Sequence, residues 1–123
     1  MIGYVTLGTN NLPRALAFYD ALLGEIGARR LWDSPRGTAY GNSPTAPGLG
    51  IMTPYNGQPA TAGNGTMVAL AVASREMVNH LYARALALGG SDEGPPGPRG
   101  DGGFYVAYFR DPDGNKLNFF CMG

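Results

Sequence analysis

The chain is poor in the residues that usually carry metal and redox chemistry, with one histidine and one cysteine among 123 residues. A lone Cys121 excludes an internal disulfide, which is typical of proteins in a reducing compartment. No run of about 18 apolar residues is present, so no membrane-spanning helix is expected. Nine basic and nine acidic residues give a formal net charge of zero. This balance predicts neither nucleic acid nor an anionic membrane as a partner.

Composition indicates an ordered globular chain. Glycine and proline are abundant, at 20 and 10 residues, but hydrophobic residues make up 44% of the sequence, which argues against disorder. The length suits a single domain over residues 1–123 with a core of its own. No signal-peptide pattern precedes the first strand-like run, so we expect a cytoplasmic protein.

The sequence resembles one module written twice, about residues 1–57 and 65–123. Each half is predicted to contain a strand, a helix and three further strands, in the same order. Duplication therefore predicts an α+β fold of two tandem βαβββ modules. Aligning the halves, with a slightly longer shift in the later part, matches Leu7 with Leu70, Leu23 with Leu86, Gly27 with Gly90, Tyr40 with Tyr108, and Met52 with Asn118.

Local signals mark the helix ends. Asn11 caps the first helix, Pro13 lies in its first turn, and Gly24 ends it. Ser74 caps the second helix, which ends at the glycine pair 89–90. The predicted strands cover residues 3–8, 26–32, 38–42, 49–54 and 66–73, followed by a hairpin over 109–120.

The segment 94–103 is rich in glycine and proline and has two interpretations. It is either a lid with hinges over a binding site or a proline-stiffened connection between strands. Arg99 and Asp101 within it are interpreted as solvated charges or, alternatively, as substrate contacts.

The helix segment Asn-Leu-Pro-Arg-Ala-Leu-Ala-Phe-Tyr, the hairpin Asp-Pro-Asp-Gly-Asn-Lys-Leu and the repeated βαβββ order resemble the vicinal oxygen chelate superfamily. This group includes glyoxalase I, extradiol dioxygenases, fosfomycin-resistance enzymes and bleomycin-resistance proteins. The resemblance implies that the two modules form curled mixed sheets around a cleft. In the enzymes of the group, His, Gln or Glu from the first and last strand of each module hold a divalent metal there.

Transferred residue by residue, the resemblance puts the four ligand positions at Tyr4, Met52, Met67 and Asn118, with Gly50 replacing Met52 if the register slips by one pleat. None of these side chains is a good ligand for a hard or borderline cation. His80 lies within the second helix and has no second histidine to pair with. We therefore expect no metal and no other cofactor.

The cleft is instead expected to bind a small organic molecule, because thioethers and aromatic faces suit apolar or flat ligands. Tyr108 is expected to share an inward face with Val106. The alternative is that these residues simply fill a core, especially the methionines. The predicted ligand-binding residues are Tyr4, Tyr40, Met52, Met67, Val106, Tyr108 and Asn118.

Two functions are compatible with these residues. The first is a metal-free small-molecule-binding protein similar to the bleomycin-resistance members. The second is a lyase, isomerase or dioxygenase-related enzyme, similar to glyoxalase I, with a displaced metal site or with Tyr4 or Tyr108 as a metal-free acid/base. Tyrosine ordinarily titrates near pH 10, so this catalytic role requires a lowered pKa.

Three further points concern other groups. Cys121 has no histidine near it in sequence and is not expected to act as a nucleophile. Arg29 and Arg30 form either a cationic rim for an anionic substrate or a solvated strand edge. A homodimer is expected, since each curved sheet has a face to cover and members of the superfamily commonly pair.

Overall fold

The computed structural model describes residues 1–123 and contains two helices and eight strands. The predicted pair of βαβββ modules is confirmed. The first module consists of β1 (Tyr4–Gly8), α1 (Leu12–Gly24), β2 (Arg29–Ser34), β3 (Gly37–Gly41) and β4 (Gly48–Met52). The second consists of β5 (Val68–Ala71), α2 (Arg75–Ala87), β6 (Ser91–Pro98), β7 (Phe104–Arg110) and β8 (Lys116–Met122).

Each module builds one four-stranded mixed sheet, with strand orders β1-β4-β3-β2 and β5-β8-β7-β6. The first and last strands of a module are parallel neighbours, with the first at one edge of its sheet, and the other pairs are antiparallel. The two sheets do not close into one barrel. One face of each sheet packs on its helix, and the other face is left open.

The helix ends follow the predicted signals. The Asn11 side chain accepts a hydrogen bond from the backbone N–H of Arg14, and Ser74 accepts one from the N–H of Met77. These caps satisfy backbone donors that have no partner within the helix. Neither helix is long and apolar enough to cross a membrane.

One hydrophobic core runs through both modules, because the apolar faces of the helices and sheets merge there. The rings of Phe109 and Phe119 stack in it with centroids 5.3 Å apart. Its largest fully buried apolar members are Tyr19, Tyr40, Phe109, Phe119, Leu22, Ile51, Leu81, Leu117 and Val78.

The turn between β7 and β8 connects the second module to the first. One oxygen of the Asp113 carboxylate accepts from the Thr9 hydroxyl (2.6 Å), and the other accepts from the Asn10 N–H (2.9 Å) and from Arg14 (3.0 Å). Asn115 donates to the carbonyl of Gly8. The turn is therefore a tertiary contact at the start of α1 as well as a local reversal.

A second contact between the modules joins the two helices. The Glu25 carboxylate lies 2.6 Å from Nε2 of His80 and accepts from Arg84 at 3.0 Å. The hydrogen bond with His80, assisted by Arg84, lowers the pKa of Glu25. His80 is exposed on α2, as the sequence predicted, and it takes part in this contact.

The glycine- and proline-rich segment is mostly a strand. Residues 94–98 belong to β6 and pair with β7, with register shifts at Gly94 and Gly97. β6 is an edge strand, where missing proline N–H groups cost little. Arg99 donates to the carbonyls of Pro95, Gly97 and Pro98. The hypothesis of a lid over 94–103 is therefore wrong for residues 94–98. The hydrogen bonds of Arg99 stabilise the end of β6.

Candidate functional site

The open face of the first sheet follows from the alternation of side chains along its strands. Leu7 and Ile51 are buried in the core with α1. Successive residues of a strand point to opposite faces. Tyr4, Gly50 and Met52 therefore lie on the open face.

The strand register decides which residues of the two modules correspond. Thr6 pairs with Gly50, and Ala69, its equivalent in the repeat, pairs with Asn118. The counterpart of Asn118 is therefore Gly50, and the alignment of Asn118 with Met52 is displaced by one pleat.

The predicted alignment of Tyr40 with Tyr108 is also displaced, in this case by one residue. Tyr108 lies opposite Asn118, but the residue opposite Gly50 is Ala39. A one-residue shift turns a strand side chain to the other face of the sheet. The structure thus places the Tyr40 side chain in the core against α1, while the residue also borders a cavity with Tyr4 and Met52 and another with Met67.

The Tyr40 phenol has a partner there. Its hydroxyl donates to the carboxylate of Asp20 at 2.7 Å. Burial, followed by the hydrogen bond with Asp20, raises the pKa of Tyr40. The phenol is therefore a protonated structural donor.

A cavity of about 490 Å³ opens on this face of the first sheet. It brings together Tyr4 and Met52, as predicted, and adds Leu31, Trp32 and Arg36. Tyr4 and Trp32 are 72% and 54% exposed, so their rings are accessible from solvent. Arg36 is the only charged residue among those that line the cavity.

The second module holds a separate group of predicted residues. The Asn118 amide donates to Sδ of Met67 at 3.6 Å, and Tyr108 lies opposite Asn118 across β7 and β8. Asn118 is only 2% exposed, yet its Oδ1 accepts no hydrogen bond from the protein. Val106, also on β7, is fully buried. Met67 further lines an apolar cavity of about 380 Å³ between the modules.

The Tyr108 ring lies beside two cations. Nζ of Lys116 is 5.1 Å from the ring centroid and Cζ of Arg99 is 5.9 Å away. The predicted residues therefore form two groups, Tyr4 with Met52 and Met67 with Val106, Tyr108 and Asn118.

This architecture agrees with the comparison of the sequence with family models. The model of the Glyoxalase/Bleomycin resistance protein/Dioxygenase superfamily matches residues 1–119. The chain belongs to this superfamily. The resemblance inferred from the helix and hairpin motifs is thereby confirmed.

Solved structures of superfamily members support the assignment. A glyoxalase/bleomycin resistance protein from Albidiferax ferrireducens T118 is 41% identical, with a TM-score of 0.89 over 100% of this chain and 99% of that chain. A lactoylglutathione lyase from Agrobacterium tumefaciens is 22% identical, with a TM-score of 0.73 over 98% and 92%. The second likeness shows the fold alone. None of the curated proteins is similar enough in sequence to count as a match.

The four positions that the resemblance assigns to metal ligands hold side chains that are poor ligands for a divalent cation. With the register corrected, they are Tyr4, Gly50, Met67 and Asn118, which supply a phenol, no donor, a thioether and an amide. Such cations prefer carboxylate, imidazole or thiolate ligands. No group of three or more His, Cys, Asp or Glu side chains lies close enough to hold a metal.

Sequence reasoning missed Trp32 and Arg36. The register of β2 against β3 shifts between Arg30 and Trp32, and such a shift changes the face on which later side chains lie. No local pattern in the sequence predicts this register shift. Arg30 donates to both carboxylate oxygens of Asp20 at 2.9 and 2.8 Å, so it is a paired residue of the strand edge.

Proposed function

We propose that this protein binds an apolar or aromatic organic molecule on the open face of its first sheet, without a metal ion. The observation that carries the proposal is the 490 Å³ cavity between Tyr4, Leu31, Trp32 and Met52. Aromatic rings and a thioether form a surface that suits a flat, apolar body. Exposed aromatic side chains in a concave surface are typical of a binding site.

The second module is proposed to supply polar contacts to a ligand that reaches across the molecule. Asn118 has a buried oxygen with no donor in the protein, and an unpaired buried acceptor costs about 1–3 kcal/mol. A hydroxyl or amine of a ligand would satisfy it once the exposed, flexible Met67 moves aside. Tyr40 is proposed to support the site from the core, and Val106 from the same face of β7 as Tyr108.

Binding and metal independence are tested together by calorimetric titration of chelator-treated protein with 2-naphthalenemethanol, a neutral aromatic probe. We expect saturable binding near one probe per chain, accompanied by quenching of Trp32 emission, and no stoichiometric metal by elemental analysis. Restoration of binding only after addition of zinc, nickel, iron or manganese would contradict the proposal.

A second candidate function is a lyase, isomerase or dioxygenase-related activity with a displaced metal or a metal-free tyrosine acid/base. The observation that favours it is the pair of cations beside the Tyr108 ring, which places charge next to a phenol. Turnover of glutathione hemithioacetals that is lost on Tyr108→Phe or Tyr4→Phe would support it. Absence of turnover, together with probe binding, favours the binding protein.

We also propose that the functional unit is a cytoplasmic homodimer. Ile2, Tyr4, Trp32 and Met67 are large, apolar and 39–72% exposed around the open faces. A second chain would cover the outer side of Tyr4 and enclose the cavity. Light scattering is expected to give about twice the 12.9 kDa chain mass, and Tyr4→Arg should shift it towards the monomer. A monomer at all concentrations would refute this.

The single cysteine is buried and unpaired, which suits a reducing compartment.

A further inference from the structure

We propose that the ligand of the first-sheet cavity is a planar organic anion, such as an aromatic carboxylate, and that Arg36 binds its charged group. This inference rests on the proposed function, since it names the chemical class of molecule that the same cavity takes. It follows from three features of the Arg36 guanidinium. The group lines the cavity, its orientation is fixed, and no carboxylate of the protein pairs with it.

Arg36 stands at the tip of the β2–β3 hairpin and is held at both ends. Its backbone carbonyl accepts from the N–H of Thr53 at 2.8 Å, and its Nη2 donates to the carbonyl of Thr53 at 2.9 Å. Its guanidinium also lies over the Tyr55 ring, 5.1 Å from the centroid. The side chain is therefore positioned before a ligand arrives, which reduces the entropy lost on binding.

The charge of Arg36 is not neutralised within the protein. A guanidinium carries five N–H donors, and the single side-chain bond to Thr53 leaves most of them without an acceptor. Other arginines do have carboxylate partners, namely Arg14, Arg30, Arg84 and Arg110. The remaining cations without one, among them Arg75 over the ring of Tyr105, do not line this cavity.

The rest of the cavity determines the ligand's body. Its lining includes Trp32, Tyr4 and Met52, and it contains no aspartate or glutamate. An anion therefore meets no like charge, whereas a cation would meet Arg36 alone. A planar aromatic carboxylate fits both the apolar lining and the charge of the cavity. Its flat body would pack against the aromatic rings, and its carboxylate would accept hydrogen bonds from the guanidinium of Arg36.

The test compares 2-naphthoate with 2-naphthalenemethanol by calorimetry on the full chain. Naphthoate should bind about tenfold or more tightly than the alcohol, because a hydrogen bond to a charged group is worth about 1.5–3 kcal/mol. Arg36→Gln should remove this preference, so that the two probes bind with similar affinity. Arg36→Lys should retain part of the preference, because it keeps the charge without the planar fork.

Arg75→Gln is the matched control, because it removes the same charge and the same arginine–tyrosine contact at a distance from the cavity. It should leave both affinities unchanged. Equal affinity for the two probes, or an equal effect of Arg36→Gln and Arg75→Gln, would overturn the assignment while leaving the small-molecule site intact. If neither probe binds, the proposed function itself fails, and this inference fails with it.

Discussion

Asp111→Ala is expected to lower the free energy of unfolding by about 3–5 kcal/mol, the largest stability effect of any single side chain in the turn between β7 and β8. Asp111 is 4% exposed. Its Oδ2 accepts from the Tyr19 hydroxyl at 2.6 Å and from the Asn115 amide at 2.9 Å. Its Oδ1 accepts from the backbone N–H groups of Asp113 and Asn115, both at 2.9 Å. Alanine would leave these donors without an acceptor, most of them buried. Urea unfolding followed by circular dichroism measures the change.

The Tyr19 contact makes the expected loss larger than that of a turn residue. Burial, followed by the charge of Asp111, raises the pKa of Tyr19 well above its usual value, so the phenol remains a donor. Tyr19→Phe should therefore cost about 1–2 kcal/mol, less than Asp111→Ala. Asp101→Ala, at an exposed residue of the β6–β7 connection, is the control and should change stability by at most about 0.5 kcal/mol. A loss below about 1 kcal/mol for Asp111→Ala would contradict the assigned role.

Trp32→Ala is expected to weaken the binding of 2-naphthalenemethanol about thirtyfold, the largest effect on binding of any single truncation in the cavity. Trp32 lines the cavity and is 54% exposed, so its ring offers contact area that the protein itself does not use. Aromatic side chains near the centre of a binding surface usually contribute the largest share of the binding energy. Calorimetry measures the affinity without depending on tryptophan emission.

The matched control is Met122→Ala, which removes another exposed apolar side chain, at the end of β8. Neither variant should change the melting temperature by more than a few degrees, because both side chains are largely exposed. An unchanged affinity in Trp32→Ala would place the ligand elsewhere. The 380 Å³ cavity between the modules would then be the next candidate.

The sequence predicted the larger elements correctly because their signals are local. Asn11 and Ser74 cap the helices by accepting from an N–H three residues later, which depends only on residues within one turn. The repeat likewise predicted the order of elements in the second module from that in the first. The repeat predicted three strands after the second helix, but not that the first of them would include the prolines of residues 94–98, because these are acceptable only at a sheet edge, and edge position is not a local property.

The residues of the site were harder to predict, because a strand exposes different side chains after a shift of one residue. Tyr40 and Tyr108 both follow an alanine in a predicted strand, but only the register of β3 against β4 shows that Ala39 is the counterpart of Tyr108. The face on which Trp32 lies could not be predicted either, because it depends on the register shift between Arg30 and Trp32. Met67 and Asn118 were both predicted to line the cleft, and the contact between them became visible only in the structure.

By itself, the sequence determined the duplicated βαβββ plan, the helix ends, the superfamily and the kinds of side chain at the four positions that the resemblance assigns to a metal, because these follow from local patterns and residue chemistry. Only the tertiary structure decided which face each strand residue occupies, that Asp113 joins the two modules, and that Arg36 lines one cavity with Tyr4 and has no carboxylate partner. These contacts join residues far apart in the chain, and their geometry depends on strand register and packing, which single-residue preferences do not encode.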